Sequence, residues 1–211
     1  MRNLFLGLVL ALISTVAYGQ NTNAYVAPGD LRTFLDYNLG ANTAFPATTP
    51  SAYIKGEKFQ YGKANPVNSF SWGSFYAVDG SWANPKTNND PCPVGYRIPT
   101  AVEWQGVINN NVIKWFGDFI EDDTNNNNRH TSGLLINNSL FLPAAGTNYY
   151  VNGNLFSNNA SGVYWSADAS GFANYGKTLS FVKSLISNNQ KLEVSIYSNK
   201  NTGASVRCIK E

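Results

Sequence analysis

The sequence predicts an α+β domain in which a short helical part is segregated from an antiparallel sheet. The chain has one clear helix start, and it carries many short apolar runs separated by Asn, Gly and Pro, most of them in its second half. Aromatic residues make up 14% of the chain, which is too large a share for a disordered polypeptide. We therefore expect few helices, a twisted antiparallel sheet and long irregular loops.

The length and charge of the chain narrow the classes of protein to consider. Its 211 residues are enough for one domain with a sizeable core. Charged residues make up only 13% of the chain and the formal net charge is +2. Such a chain lacks the basic surface that binds nucleic acids or anionic membranes, so neither partner is expected.

Residues 1–19 are typical of a secretory signal peptide. Arg2 supplies the positive start, and the apolar run Leu4–Val16 is too short for a membrane-spanning helix. Small residues precede an expected cut ahead of Gln20. The alternative is an N-terminal core helix. We expect residues 20–211 to form a single exported domain without an integral membrane segment, in the periplasm, on the outer surface or outside the cell.

The first half of the mature chain is dominated by loops. A Pro28-Gly29 turn precedes a first strand that includes Leu31 and Phe34. The segment Ala41–Ala52 is an irregular loop. Between Tyr53 and Trp82 aromatic residues recur among glycines and prolines, which indicates a packed loop region that contributes rings to the core. These rings belong to Phe59, Tyr61, Phe70, Trp72, Phe75, Tyr76 and Trp82.

The segment Asp90–Trp104 contains the helix start. Thr100 followed by Glu103 fits a capping box, in which the hydroxyl and the carboxylate each bind an amide of the first helical turn. The helix is expected to end at Asn109–Asn111. Its apolar side follows helical spacing and consists of Val102, Trp104, Val107 and Ile108, with Trp104 packed inward.

The chain becomes strand-like after the helix. Val112–Phe119 fits either a short helix or a strand with a bend at Gly117. Beyond a polar loop, two hairpins are predicted at the turns Asn137-Asn138-Ser139 and Asn152-Gly153-Asn154. Their expected strands are Leu134–Ile136 with Leu140–Leu142, and Tyr149–Val151 with Leu155-Phe156.

The last part of the chain predicts further strands. In Val163–Ser166, Trp165 shares a face with Val163 and is expected in the core. Leu179–Ile186 is a longer apolar run. In the next strand one face is expected to be buried, because Leu192, Val194 and Ile196 alternate with more polar residues. A final strand is expected at Ser205–Ile209.

Cys92 and Cys208 are the two cysteines of the chain. Two cysteines in an exported protein most often form a disulfide, which would join the middle of this chain to its end. Two buried free thiols are the alternative.

Four stretches resemble, in order, the motifs of the Fibrobacter succinogenes major paralogous domain, a family of exported bacterial domains. The resemblance extends from about Val26 to Glu211. Ala167, Tyr61 and Lys63 depart from the residues usual in the family. The four stretches are Asp90–Trp104 (DPCPVGYRIPTAVEW), Leu140–Phe156 (LFLPAAGTNYYVNGNLF), Gly162–Ser170 (GVYWSADAS) and Gly203–Glu211 (GASVRCIKE).

This resemblance implies a C-type lectin-like fold, of the branch that includes the formylglycine-generating enzyme. In that fold the two ends of the domain come together and long loops form a ligand-facing surface. In variable receptor-like relatives, the ligand-facing positions lie between the Tyr-Trp-Ser strand and the closing Ser-Val-Arg-Cys. The corresponding surface is expected here between Ser166 and Asn201.

The sequence contains no convincing catalytic or metal-binding constellation. The single histidine, His130, lies in a polar loop, and no Gly-x-Ser-x-Gly elbow is present. Asp123, Asn125 and Asn127 have the spacing of a calcium loop, but Asn128 occupies the position that requires glycine. We favour a solvated loop there and predict no metal, no cofactor and no enzymatic activity.

The C-terminal half mixes tyrosines with short polar side chains, as antibody paratopes do. Such surfaces recognise ligands with rigid rings and adaptable polar groups. The alternative is that the rings belong to the core or to a half-buried sheet. The predicted ligand-binding residues are Tyr164, Ser166, Asp168, Asn174, Tyr175, Lys177, Tyr197, Asn199 and Asn201.

These observations predict a secreted or cell-surface, non-enzymatic binding or adhesion domain whose partner is a glycan or a surface protein. Two other functions remain alternatives. One is a structural subunit of a surface assembly, which would self-associate. The other is an enzyme of the formylglycine-generating type, which would need a free reactive cysteine.

Overall fold

The computed structural model describes residues 22–67, 80–121, 130–184 and 189–211. The predicted signal peptide, the calcium-like spacing at Asp123–Asn127 and four of the loop aromatics (Phe70, Trp72, Phe75 and Tyr76) lie outside these residues. The described elements, in chain order, are β1 (Thr22–Ala27), β2 (Asp30–Phe34), a 3-10 turn (Ala52–Ile54), β3 (Tyr96–Arg97), α1 (Ala101–Asn110), β4 (Ile113–Phe116), β5 (Gly133–Ile136), β6 (Leu140–Pro143), β7 (Thr147–Asn148), β8 (Leu155–Phe156), β9 (Ser161–Ala169), β10 (Tyr175–Lys183), β11 (Gln190–Asn199) and β12 (Ile209–Lys210).

The strands form antiparallel sheets with the orders β1-β2-β12-β3, β11-β10-β9, β4-β5-β6 and β7-β8. The first sheet brings the two ends of the described chain together, because β12 lies between β2 and β3. Antiparallel strands with a single α-helix in the described ranges confirm the predicted α+β class.

The helix forms where the capping box predicts it. Glu103 N donates to Thr100 Oγ1 at 3.1 Å, and Thr100 N donates to Glu103 Oε2 at 2.7 Å. Asn111 ends the helix, and its side-chain amide donates to the Val107 carbonyl. A Cβ built on Gly106 would lie 1.6 Å from the carbonyl oxygen of Val26, so only glycine allows α1 to pack this closely on β1.

Several predicted strands are confirmed. β2 follows the Pro28-Gly29 turn, although β1, which precedes the turn, had not been predicted. The ambiguous segment Val112–Phe119 contains strand β4, and the chain bends at Gly117, where φ is +93°. The β5–β6 hairpin turns at Asn137 and Asn138, which both adopt positive φ.

Two predicted strands are corrected. No strand forms at Tyr149–Val151; the strand of this hairpin, β7, lies just before it, at Thr147–Asn148. Tyr149–Val151 belong to the turn instead, because Gly153 N donates a hydrogen bond to the Tyr149 carbonyl. The strand expected at Ser205–Ile209 is reduced to β12. Upstream of β12 the backbone bonds to several neighbours instead of one strand: the carbonyl of Ser205 accepts from Trp165 N, and that of Val206 accepts from Leu39 N.

Strand β9 is buried on both faces, and its side chains alternate between two apolar clusters. Tyr164 packs in the first cluster with Trp104 and Phe181, and Trp165 packs in the second with Tyr61. Trp165 is fully buried as predicted, and its indole Nε1 donates to the Phe59 carbonyl at 2.6 Å. The described loop aromatics Phe59, Tyr61 and Trp82 are also buried, as the sequence predicts.

Candidate functional site

A groove lined by four tyrosines lies where β10 begins and β11 ends, facing the turn that follows β7. Its volume is about 340 Å³, within the range of roughly 300–1,000 Å³ that is typical of small-molecule sites. We call it the tyrosine groove, and define it by its described lining residues Thr147, Tyr149, Tyr150, Val163, Tyr175, Tyr197, Ser198, Asn199 and Thr202.

Three of the four rings of the groove are exposed and Tyr150 is half-buried, and each ring lies close to another. Tyr197 is 64% exposed and meets Tyr175 edge to face, with 6.2 Å between ring centroids. The ring centroids of Tyr149 and Tyr150 lie 4.7 Å apart. Phe172, which is also exposed, lies 5.8 Å from Tyr197 beside the groove. Exposed rings held by ring–ring contacts offer rigid apolar area to a ligand.

The backbone beside these rings is tied to the rest of the domain. Lys200 N donates to the Asn174 carbonyl at 2.9 Å, and Gly203 exchanges two backbone hydrogen bonds with Asn148. Asn201, which is buried, offers its carbonyl to the side chain of Gln60 at 3.0 Å. The lining residues are therefore presented by a connected framework.

Part of the predicted ligand-binding set lies in the tyrosine groove. Tyr175, Tyr197 and Asn199 line it. Asn174 is exposed in the preceding turn, and Lys177 is half-buried in β10 outside the lining.

Three residues of that set are corrected, because Tyr164, Ser166 and Asn201 are buried. The Tyr164 hydroxyl donates to the Pro143 carbonyl at 2.8 Å and accepts from the Asn38 side chain at 3.2 Å. Burial raises the pKa of this hydroxyl above its usual value. The physical reason for the correction is that β9 has no solvent-facing side at this point.

Asp168 has a structural contact within the domain. Its carboxylate accepts a hydrogen bond from the backbone N–H of Ala101, the first residue of α1. A carboxylate at a helix N-terminus satisfies an unpaired amide and complements the helix dipole. Asp168 therefore joins β9 to the helix and is not among the described residues that line the groove.

The sequence did not predict that the β7–β8 hairpin contributes side chains to the tyrosine groove. Tyr149 and Tyr150 supply half of the groove's tyrosines, yet they precede the segment in which a ligand surface was expected. The available signal was the position of two adjacent tyrosines just before an Asn-Gly turn, since such turns are exposed. Thr147, Ser198 and Thr202 complete the polar lining.

The described lining of the tyrosine groove is uncharged, and its polar groups are hydroxyls and an amide. A hydrogen bond with its neighbour Tyr149 raises the pKa of Tyr150 above the usual value for tyrosine. The groove can therefore offer stacking surface and hydrogen bonds, without a fixed charge from these residues.

A second polar region lies around the disulfide. Cys92 and Cys208 are bonded, with 5.8 Å between their Cα atoms. Asp90 stabilises the loop that contains Cys92. Its carboxylate accepts hydrogen bonds from Cys92 N at 2.8 Å and from Ile98 N at 2.9 Å. Burial raises the pKa of Asp90, and these two amides offset only part of that effect. We call Asp90–Trp104 together with Cys208 the clasp.

Arg97 and Glu103 form a bidentate ion pair inside the clasp. The guanidinium nitrogens lie 2.6 and 2.8 Å from the carboxylate oxygens, and both side chains are largely buried. Burial by itself would raise the pKa of Glu103, but the hydrogen bonds from Arg97 and Thr100 outweigh it and lower that pKa. The hydrogen bond to Glu103 raises the pKa of Arg97. The ion pair joins the first turn of α1 to β3.

The closing Ser-Val-Arg-Cys stretch is also structural. The buried Arg207 guanidinium donates to the Asn38 side-chain oxygen at 2.7 Å and to the carbonyls of Leu35, Asp36 and Phe141. These contacts tie the end of the chain to the loop after β2 and to β6.

Lys58 has a lowered pKa, but it does not line the tyrosine groove. Burial, with a smaller contribution from the ammonium of Lys55, lowers its pKa to about 7. Its Nζ donates to the Gly146 carbonyl at 2.8 Å and to Ser205 Oγ at 3.0 Å. Lys58 joins the loop after the 3-10 turn to the closing segment.

Among the described residues, no three His, Cys, Asp or Glu side chains are grouped so as to hold a metal ion. In the same ranges, no helix has the length and apolar character needed to span a membrane.

Comparison of the chain with protein-family models, curated proteins and solved structures finds no match.

Proposed function

We propose that this protein is an exported, non-enzymatic binding domain that recognises a neutral glycan in the tyrosine groove. One observation carries the proposal: four tyrosines in paired ring contacts, three of them exposed, line an uncharged groove of small-molecule size. The apolar C–H face of a sugar ring packs on an aromatic ring, while its hydroxyls pair with short polar side chains.

The chemistry of the groove favours a neutral glycan over a charged ligand. Its described polar groups are the hydroxyls of tyrosine, serine and threonine and the Asn199 amide, which both donate and accept hydrogen bonds. An acidic ligand would bury its charge without a cationic partner among these residues, which costs free energy.

We propose further that the domain is C-type lectin-like and related to the Fibrobacter succinogenes major paralogous domains. The junction of the chain's ends in the β1-β2-β12-β3 sheet supports this assignment. So do the structural roles of its motifs, since the Cys-Pro and Arg-Cys stretches meet in one disulfide.

The disulfide also supports export and a non-enzymatic function. Disulfides persist in oxidising compartments outside the cytoplasm. A mechanism of the formylglycine-generating type would require a reactive thiol, whereas Cys92 and Cys208 are bonded to each other.

A glycan array tests the proposal directly. The exported protein, with its disulfide intact, is applied to immobilised neutral, uronic-acid-containing and sialylated glycans, together with Tyr175→Ala and Tyr197→Ala variants. We expect binding to neutral glycans that both substitutions weaken by about tenfold or more, because each removes a ring that the ligand would cover.

Tyr25→Ala is the control, since Tyr25 is an exposed tyrosine, to nearly the same extent as Tyr175, but lies on β1, outside the groove. Unchanged glycan binding by both groove variants would exclude this surface. Absence of binding to any glycan, with self-association in light scattering, would favour a structural subunit instead.

A further inference from the structure

A second pocket also includes Tyr149 in its lining. It has a volume of about 610 Å³ and its described lining is Glu121, Tyr149, Asn152, Asn154, Leu155 and Phe156. Tyr149 therefore lines both this outer pocket and the tyrosine groove.

The outer pocket has exposed apolar side chains on a constrained turn. Phe156 is 60% exposed, Tyr149 44% and Leu155 40%. Tyr149 N donates to the Asn154 carbonyl at 2.8 Å, and Asn154 N donates to Asn152 Oδ1 at 3.0 Å. A turn held by its own hydrogen bonds can present an aromatic ring to a ligand without a large ordering cost.

The polar groups of the outer pocket also suit sugar hydroxyls. Asn152 and Asn154 provide amides that donate and accept hydrogen bonds. Glu121 is exposed and is the one charged residue in the described lining. Its carboxylate can accept hydrogen bonds from hydroxyls, but it repels a carboxylate on the ligand.

We infer that the tyrosine groove and the outer pocket are consecutive parts of one elongated site, and that the ligand is a linear chain of neutral sugars that crosses Tyr149 and stacks a distal unit on Phe156. The inference rests on the proposed function, because it assigns the same ligand class to both cavities. The shared lining residue Tyr149 and the lining chemistry of both cavities support it.

Oligosaccharide length is the variable that tests the inference. Calorimetry is performed with linear glucose, mannose and N-acetylglucosamine oligomers, from the monosaccharide to the hexasaccharide. We expect at least one series in which affinity rises by about tenfold once the chain is long enough to leave the groove and cover Phe156.

Single substitutions separate the two parts of the site. Phe156→Ala is expected to abolish the gain from chain length while leaving the affinity for short oligomers unchanged. Tyr197→Ala is expected to weaken all lengths. Phe116→Ala is the matched control, since Phe116 is exposed to a similar extent on β4 and lines neither cavity.

Glu121→Gln tests the charge argument with galacturonic acid oligomers. It is expected to leave neutral oligomers unaffected and to raise the affinity for the acidic series several-fold, more at low ionic strength than at high, because the carboxylate is exposed and screened by salt.

The outcomes distinguish the two proposals. If short oligomers bind with dependence on Tyr197, but neither chain length nor Phe156→Ala changes affinity, the elongated site is excluded and the proposed function stands. If no series binds at any length, both the elongated site and the neutral-glycan function are overturned.

Discussion

The clasp and the tyrosine groove both concentrate polar and aromatic side chains, yet they differ in what those side chains contact. In the clasp, the carboxylates of Asp90 and Glu103 and the guanidinium of Arg97 all bind groups of the domain itself. In the groove, Tyr175 and Tyr197 are 36% and 64% exposed. Polar groups that are paired internally stabilise the fold, whereas exposed rings are available to a ligand.

A cluster of chemically capable residues indicates a function only once the partners of its side chains are known. Cysteine, arginine and glutamate lie close together in Asp90–Trp104, as they do in many active sites. In this structure each of them stabilises the local backbone. The groove, in contrast, contains no charged side chain among its described lining residues.

The largest expected effect comes from breaking the clasp at its covalent bond. The double substitution Cys92→Ser/Cys208→Ser opens a loop that spans 116 positions and should lower the free energy of unfolding by about 4–5 kcal/mol. Urea denaturation monitored by tryptophan fluorescence measures it. An unchanged midpoint and slope would show that the disulfide contributes little to the fold.

The next effect is expected at the ion pair. Glu103→Gln leaves the largely buried Arg97 guanidinium without its counter-charge and should cost about 3 kcal/mol of unfolding free energy. Arg97→Met/Glu103→Gln, which removes both charges, should recover part of this loss. A double variant less stable than the single variant would contradict the role assigned to the pair.

The pH dependence of stability should report the same pair. Because the folded-state pKa of Glu103 lies below its usual 4.5, its contribution is complete above that pH and is lost as the pH falls through the folded-state pKa. Denaturation from pH 7 to pH 3 should therefore show the wild type and Glu103→Gln converging in stability. A constant difference across that range would refute the assigned shift.

A smaller effect is expected at the buried tyrosine that the sequence placed on the ligand surface. Tyr164→Phe removes the hydroxyl that joins Pro143 and Asn38 and should cost about 1–2 kcal/mol of unfolding free energy. Glycan affinity should not change, because Tyr164 is buried outside the groove. A loss of affinity without a loss of stability would restore Tyr164 to the binding surface.

The smallest effect on stability is expected in the groove itself. Tyr197→Ala should change the unfolding free energy by less than about 0.5 kcal/mol, because most of the side chain is exposed. Its glycan affinity should nevertheless fall by about tenfold or more. Denaturation and array binding of one preparation measure both quantities, and Tyr25→Ala again serves as the control. A destabilised Tyr197→Ala would assign this ring to the fold.

The local features of the fold were readable from the sequence. The capping box at Thr100 and Glu103, the end of α1 at Asn111 and the hairpin turn at Asn137-Asn138 depend on contacts within a few residues. The burial of Trp165 followed from alternation along one strand. The cap and the turn are readable because both partners of each contact lie near each other along the chain, and strand alternation is itself a local pattern.

The exposed side chains could not be identified from the sequence in the same way. Alternation distinguishes the two faces of a strand, but it does not show which of them is covered by other parts of the domain. Tyr164 and Tyr197 both lie on strands in the same sheet. Tyr164 is enclosed by Trp104 and Phe181 from distant elements, and Tyr197 meets solvent. The groove itself combines Tyr149 and Tyr150 of one hairpin with β10 and β11, a juxtaposition that no local pattern encodes.

The sequence by itself thus determined the α+β class, the start and end of the helix and the candidates for the disulfide, since these follow from short-range contacts and residue chemistry. Only the tertiary structure decided that Arg97 pairs with Glu103, that β9 is buried on both faces and that tyrosines from two hairpins line one groove. Burial and exposure depend on which distant segments pack together, and that information is distributed over the whole chain.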